Sequence, residues 1–364
     1  MNFLKFSKRC VRLLKFQQLR QNARTLFTVE TLDLTAYQNN RQEAFDNVTE
    51  PNKFKWELQA YVENESEMDA LRLKAALEVL AHLAKPEDIN LIKSTLYAFD
   101  SIESATDKAK RSIGNLVMKM VYSMNLPDVA IELYNDPKLS EFFGGFKSTL
   151  ICLDCLYVNG KYGEILKIDS KKRQHLWSTR TNFTKFIDVL VFGASYKLNT
   201  AESFEYAKNL WSNVGQSTQF RRCVAFIAAL ALKQEKPSLA VQILKDSDFT
   251  NLTEQIKLLA LADLGYANEI NEALATWIND EKFSKKYIST DVLQRIQQRM
   301  KHNSTANTQV KFQEIYDELI ANGRITNETL DEILDKPISP RVGIRGKRSI
   351  KPNINEILAE ELRR

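Results

Sequence analysis

Few residues in this chain are spaced for covalent chemistry. Cys152 and Cys155 form a C-x-x-C, the spacing of redox pairs and of half a zinc site. The other two cysteines, Cys10 and Cys223, are remote, and a structural zinc needs four ligands. The pair falls at packing spacing in an apolar helix, which predicts buried structural thiols. GGFKST at 144–149 echoes a phosphate loop, but Phe146 separates Gly145 from Lys147. The glycine required five residues before a Gly-Lys pair is also missing. His82, His175 and His302 have neither metal-ligand spacing nor a nucleophile partner. Carboxylates are plentiful, yet no spacing sets two of them on one cleft wall. The expectation is a noncatalytic protein, not an enzyme, with no catalytic residues, no metal and no cofactor.

What remains is the chemistry of charge and aromatic faces. The richest basic stretch holds Lys161, Lys167, Lys171, Lys172, Arg173, Arg180 and Lys185 against Glu164 and Asp169. Tyr162, Trp177 and Phe183 are interleaved with it. Cations that meet phosphates and aromatic rings that stack on bases are the two requirements of single-stranded nucleic-acid binding. Lys171, Lys172 and Arg173 are its densest cluster, Arg221 and Arg222 open a later helix, and the tail adds Arg341, Arg345, Lys347, Arg348 and Lys351. The bland alternative is that such charges are solvated faces and the aromatics, Trp56, Trp211 and Trp277 among them, are inter-helix packing.

The elements that would position these residues are helical. The chain has 364 residues, 44% of them hydrophobic, with only 11 Gly and 8 Pro. That composition excludes wholesale disorder, collagen and turn-rich β sandwiches. No run of 18 apolar residues is present, so no membrane span is expected. The formal net charge of +5 comes from the N-terminus: Lys5, Lys8, Arg9, Arg12, Lys15, Arg20 and Arg24 all precede the first acid, Glu30. At 100° per residue the first five share one helical face, with Phe3, Phe6, Cys10, Leu13 and Leu14 opposite. A basic, amphipathic, acid-free start is the pattern of a mitochondrial presequence, expected over 1–29 with cleavage near Arg24.

From about Asp69 to Asp280 the apolar spacing is that of amphipathic helices. A short pattern recurs: an apolar helix end, a turn residue, then a small or aliphatic residue in the next helix. It reads YSMNLPDVAIELY at 122–134, YVNGKYGEILKI at 157–168, LKQEKPSLAVQIL at 232–244 and YANEINEALATW at 266–277. YKLNTAESFEYAKNLW at 196–211 is a looser copy with two extra turn residues. Ala130, Ile165, Ala207, Ala240 and Ala273 are the landmarks. Asn125, Gly160, Asn199 and Asn268 sit at the turn, where a left-handed backbone suits Gly and is tolerated in Asn; Glu235 departs from the rule. Pro127 and Pro237 fall in first turns, where a missing N–H does no harm. A unit of about 34 residues holds two helices and cannot bury its own apolar face, so neighbours must stack. The predicted fold is all-α, an α-solenoid of helix-turn-helix repeats.

YVNGKYGEILKI, preceded by TLICLDCL, resembles the pentatricopeptide repeat. LDCLYVNGKYGEILKI, YKLNTAESFEYAKNL, FIAALALKQEKPSLAVQIL and VKFQEIYDELIANGRITNETLDEIL together resemble the mitochondrial pentatricopeptide repeat-containing protein 2 family of animals. RTLFTVETLDLTAYQNNRQEAF resembles that family's mature start. The resemblance runs from about Arg24 to Leu334. It implies a protein of the mitochondrial matrix that binds single-stranded mitochondrial RNA and supports maturation or processing of transcripts, and through them the respiratory chain. First helices of such repeats line a groove, and a specificity residue, often Asn, lies about ten residues before the turn. Projected here it falls on Asn115, Leu150, Val189, Ala225 and Leu258; only Asn115 carries the donor and acceptor that distinguish a base edge. Apolar residues elsewhere weaken a base-by-base code and leave open an alternative reading, an α-solenoid protein-interaction scaffold in a mitochondrial matrix complex; other RNA-processing proteins are among the expected partners. The expected plan is presequence 1–29, lead-in 30–68, solenoid 69–280, C-terminal helical cap 281–335, and a basic flexible tail 336–364 with a short helix near Asn355–Leu362.

Overall fold

The computed structural model describes residues 25–64, 69–175, 184–213, 221–245, 250–279 and 286–338. The presequence up to Arg24, Trp177, Arg180, Phe183 and the tail from 339 lie outside the described residues. Among the described residues there are eighteen α-helices, and the strands are a single two-residue pair. No helix among them is long and apolar enough to cross a membrane. The chain forms two compact units. Unit 1 takes the described residues up to Glu164 together with Pro337 and Ile338, and unit 2 is Ile165–Lys336.

Unit 1 holds α1 (Leu34–Asn47), α2 (Pro51–Glu63), α3 (Ala70–Leu83), α4 (Ile89–Asp100), α5 (Asp107–Met124), α6 (Pro127–Asn135), α7 (Ser140–Phe143), α8 (Phe146–Val158) and the first residues of α9 (Tyr162–His175). The expected lead-in is therefore itself helical, split at Pro51, the first residue of α2. Unit 2 holds the rest of α9, then α10 (Thr184–Leu198), α11 (Ala201–Asn213), α12 (Arg221–Lys233), α13 (Pro237–Leu244), α14 (Asn251–Leu264), α15 (Ala267–Asn279), α16 (Thr290–Asn303), α17 (Ala306–Ala321) and α18 (Leu330–Leu334). β1 (Ile288–Ser289) and β2 (Ile325–Thr326) pair in parallel.

In unit 2 first helices pack on first helices, α10 on α12, α12 on α14 and α14 on α16, while α15 packs on α17. In unit 1 α5 packs on α8, with α6 against both. This is the α-solenoid arrangement, and it continues through α16 and α17, inside the region expected to be only a cap. First helices are enclosed: every residue from Cys223 to Leu232 of α12 and from Ser148 to Tyr157 of α8 is buried. Helices apolar on all sides are what a layered interior demands.

Five hairpins, α5–α6, α8–α9, α10–α11, α12–α13 and α14–α15, turn on one left-handed residue placed two before the second helix: Asn125, Gly160, Asn199, Glu235 and Gly265, with φ between 51° and 82°; α16–α17 turns through extended Ser304 and Thr305 instead. At Asn125, Gly160, Glu235 and Gly265 the turn is a Schellman motif. In the first, Leu126 N–H donates to Val121 O at 3.2 Å and Asn125 N–H to Tyr122 O at 3.1 Å. Asn199 instead makes the simpler bond to Ser195 O at 3.0 Å. Two expectations change. The fifth turn residue is Gly265, not Asn268, which lies in the first turn of α15. The copy at Asn199 has no extra turn residues, since α11 starts at Ala201. In this register Phe204 and Ile270 replace Ala207 and Ala273 as the landmarks five residues past the turn, and both are buried.

Neighbouring turns are tied together. Asn159 Nδ2 donates to Asn125 Oδ1 at 2.8 Å in unit 1, and Gln234 Nε2 to Asn199 Oδ1 at 2.8 Å in unit 2. In both, the residue before one left-handed position reaches the left-handed Asn of the preceding hairpin. Trp277 is buried and Trp211 packs edge-on to Phe192, as expected, but Trp56 is 70% exposed and does not pack between helices. Glu235 is the one turn residue with a long side chain held at positive φ, a conformation that costs L-residues about 1–2 kcal/mol and glycine little. Glu235→Gly is therefore expected to stabilise the fold by about 1 kcal/mol, read as a higher urea midpoint at unchanged slope.

Candidate nucleic-acid interface

The projected base-reading positions are distributed along the first helices, and burial decides what they can do. Leu150, Val189, Ala225 and Leu258 are all at most 3% exposed and form the interior. Asn115 on α5 is half-buried, and its Oδ1 accepts a hydrogen bond from Ser148 Oγ at 2.7 Å. Moving the fifth turn to Gly265 moves its projected position from Leu258 to Gln255. That residue is polar but fully buried: its Oε1 accepts from Ser289 N at 2.9 Å and its Nε2 donates to Tyr287 O at 3.3 Å. One amide of the right type is thus spent on holding the β1 strand.

The basic cluster divides. Lys171 is exposed and Lys172 half-buried, with burial holding the Lys172 ammonium below its usual range. Arg173 differs from the expectation of a ligand-facing cation. Its Nε donates to Asp169 Oδ2 at 2.7 Å, and its Nη2 to Asp188 Oδ1 on α10. Tyr206 OH on α11 completes the set with a bond to Asp169 Oδ2 at 2.6 Å. Both carboxylates are fully buried. Burial pushes the Asp169 carboxyl up, and Arg173 and Tyr206 only partly oppose it. Arg221, at the start of α12, is exposed, whereas Arg222 points at the chain itself: its Nη1 donates to the carbonyl oxygens of Ile333 and Leu334 at 2.5 Å each. Within unit 2 the structure brings Lys171–Arg173 and Arg221–Arg222 onto two separate helices, α9 and α12, and in unit 1 Asn115 lies on α5.

Cations that the sequence did not single out lie along first helices and are matched with acids. In unit 1 Lys119 on α5 and Lys147 on α8 both reach Asp33 Oδ2, at 2.5 and 3.3 Å. Burial acts to raise the Asp33 carboxyl, but the two ammonium groups outweigh it and hold it below its usual value. Tyr122 OH and Thr25 Oγ1 both donate to the buried Asp154 Oδ2, at 2.9 and 3.0 Å. In unit 2 Lys197 reaches Asp335 at 2.7 Å, Tyr196 OH bonds Asp331, and Lys233 lies 3.7 Å from the centre of the Tyr196 ring. Burial, then Asp331, pushes the Tyr196 phenol up, and burial pulls Lys233 down. A signal for these residues was present in the repeat itself: Tyr122, Tyr157 and Tyr196 each stand three residues before a left-handed turn. Cys152 and Cys155 are buried in α8 and free, as the sequence predicts; burial raises both thiols, Cys155 to about 12, and so disfavours their thiolates.

Comparison with known proteins bears on the same helices. The chain is 29% identical over 273 residues to the pentatricopeptide repeat-containing protein 2, mitochondrial, of Homo sapiens, covering 72% of this chain and 69% of the human one. The proteins of the same name from Mus musculus and Danio rerio are 28% and 27% identical, each over 75% of this chain and 72% of the relative. No family model matches the chain, and no solved structure does. The resemblance read in the sequence is therefore upheld along roughly three quarters of the chain.

Removing the guanidinium from the Asp169–Arg173–Asp188 set strands two buried carboxylates, which costs about 3–5 kcal/mol. Arg173→Met is expected to lower stability by that amount in urea unfolding. Because the Asp169 carboxyl is already raised, a fall in pH protonates it more readily in the folded state. The variant should regain part of its stability as pH is lowered.

Proposed function

We propose that this chain is a noncatalytic RNA-binding factor of the mitochondrial matrix. In this reading it supports maturation or processing of mitochondrial transcripts, and thereby the respiratory chain, alongside other RNA-processing proteins. The observation that carries the reading is the likeness, over about three quarters of the chain, to mitochondrial proteins named for the pentatricopeptide repeat, supported by hairpins that keep one turn geometry through five copies. With every projected base-reading side chain but the half-buried Asn115 in the interior, affinity rests mainly on phosphates, and Lys171, Lys172 and Arg221 are the proposed contacts. Specificity then comes from RNA shape or from a partner rather than from one base per repeat.

A second reading, a protein-interaction scaffold, is favoured by that same burial of the base-reading positions. The two separate cleanly. An RNA-binding factor crosslinks to a small set of mitochondrial transcripts in isolated organelles, whereas a scaffold yields a protein complex that survives nuclease and no RNA crosslink. For the RNA reading, Lys171→Ala/Lys172→Ala/Arg221→Ala is expected to weaken binding to all single-stranded sequences alike. It should also flatten the dependence of log affinity on log salt by roughly 2, about 0.7 per lost phosphate contact.

The import signal is proposed to end before Thr25 rather than at residue 29. Leu26 and Phe27 are buried in unit 1, Phe27 bridges to Ile338, and Ile338 N–H donates to Leu26 O at 2.9 Å. A protease that cut after Phe27 would remove two core side chains. Protein purified from mitochondria should therefore begin at or before Thr25 by N-terminal sequencing, and a start beyond Phe27 refutes the assignment.

A further inference from the structure

The short helix α18 is held within unit 2 by an apolar seat and by a ring of polar contacts. It packs on α12 and α14, two first helices, with Leu330, Ile333 and Leu334 buried. Thr329 and Glu332 form a capping box that holds it helical despite its five residues. Around that apolar seat the polar contacts with α10 and α12 run in one direction. Tyr196 OH and Lys197 on α10 give their protons to Asp331 and Asp335, Lys233 on α12 lies 3.8 Å from Asp331 Oδ2, and Arg222 on α12 donates to the carbonyls of Ile333 and Leu334. Toward α10 and α12 the donors belong to first helices and the acceptors to α18 and its C-cap Asp335; toward α16 the direction reverses, Leu330 N–H donating to Asp291 Oδ2 at 3.1 Å.

The acceptors have the form of a short polyanion. Asp331 and Asp335 are four residues apart and so lie on one helix face, about 6 Å between Cβ atoms. The carbonyls that Arg222 takes are at the helix C-terminus, where the backbone dipole is negative. Beneath them, the Tyr196 ring with the Lys233 ammonium at 3.7 Å is an aromatic platform next to a cation, the pairing on which bases stack and phosphates settle.

We propose that α18 is an internal anionic ligand of unit 2, and that Tyr196, Lys197, Arg222 and Lys233 bind the phosphodiester backbone of single-stranded RNA when α18 lifts away. The proposal rests on the RNA-binding reading above and adds a second surface to it, one closed in the resting protein. It also assigns a role to residues 326–336 that the sequence showed only as the end of a cap: the segment competes with RNA for the same donors.

The test uses the full chain. Asp331→Asn/Asp335→Asn keeps the shape and the apolar seat of α18 while removing its charges. Leu330→Asp/Ile333→Asp removes the seat, and hydrogen exchange over 330–334 reports release in each case. Binding is read by fluorescence anisotropy with a labelled oligouridylate of roughly 15 nucleotides, long enough for a single-strand site. The Asn pair is expected to bind roughly tenfold tighter than the parent, the size of one lost charge-assisted bond. Its salt dependence should be steeper by roughly 2. Adding Lys197→Ala/Arg222→Ala/Lys233→Ala should return affinity to the parent level or below. If the parent binds and neither released variant binds more tightly, the internal-ligand proposal fails and the RNA reading stands. The proposal fails equally if the three alanines leave tight binding intact. If neither parent nor released variants bind, both fail. If only the released variants bind, both stand.

Discussion

The structure depends on a backbone constraint, a single residue held at positive φ two positions ahead of the second helix in the five hairpins from α5–α6 to α14–α15. That residue lets the preceding helix end in hydrogen bonds and reverses the chain within two residues. With so short a turn the two helices of a hairpin must lie against one another. Neither can bury its apolar surface on the other alone, so the next hairpin is required. The side-chain ties between neighbouring turns, Asn159 to Asn125 and Gln234 to Asn199, repeat the constraint from one hairpin to the next. Each is worth about 1 kcal/mol at most, being exposed. Their effect is to fix register more than to add stability.

Stacking has a consequence for polar chemistry. First helices are enclosed by second helices and by their neighbours in the stack, so a polar side chain on them must find a partner within the protein. Gln255 is hydrogen-bonded to the backbone at Tyr287 and Ser289, Asn115 accepts from Ser148, and Asp188 on α10 accepts from Arg173 of the preceding second helix. The cations nearer the open side meet acids from segments that precede or follow the hairpins: Asp33 in unit 1, Asp331 and Asp335 in unit 2. Both units thus satisfy first-helix cations with carboxylates from outside the repeats. A groove that reads bases needs polar side chains standing free on first helices; at the projected positions this chain has interior residues and, at Asn115, a half-buried amide that accepts from Ser148.

Four of the five turn positions, Asn125, Gly160, Asn199 and Glu235, are legible in the sequence, and the fifth is displaced for a physical reason. Asn268 and Gly265 are three residues apart and both residue types favour a left-handed backbone. Only the hydrogen bonds of Gly265 and Tyr266 to Ala262 and Leu261 settle which one ends the helix. Glu235 was read as a departure, yet it occupies the same conformation as its counterparts, because the helices on either side impose the turn on whatever residue stands there. The basic cluster 171–173 was visible as charge, but charge in a sequence does not say which carboxylate is near. Trp56 misled for a similar reason: its type suggests packing, while its place on α2 leaves it in solvent.

By itself the sequence determined that the chain is helical, that its helices come in hairpins of one repeating length, and that its N-terminus is a separate basic segment. These follow from apolar periodicity, turn residues and charge runs, which act over a few residues and are written in order along the chain. Only the tertiary structure decided which cations are committed to acids and which remain exposed. Lys119 meets Asp33, Arg222 meets Ile333 and Leu334, and Tyr196 meets Asp331, pairs separated by 86, by 111 and 112, and by 135 residues. No local pattern encodes such pairings. They exist because stacking brings the segments around Asp33 and α18 against first helices of their own units, where a buried charge without a partner is too costly to keep.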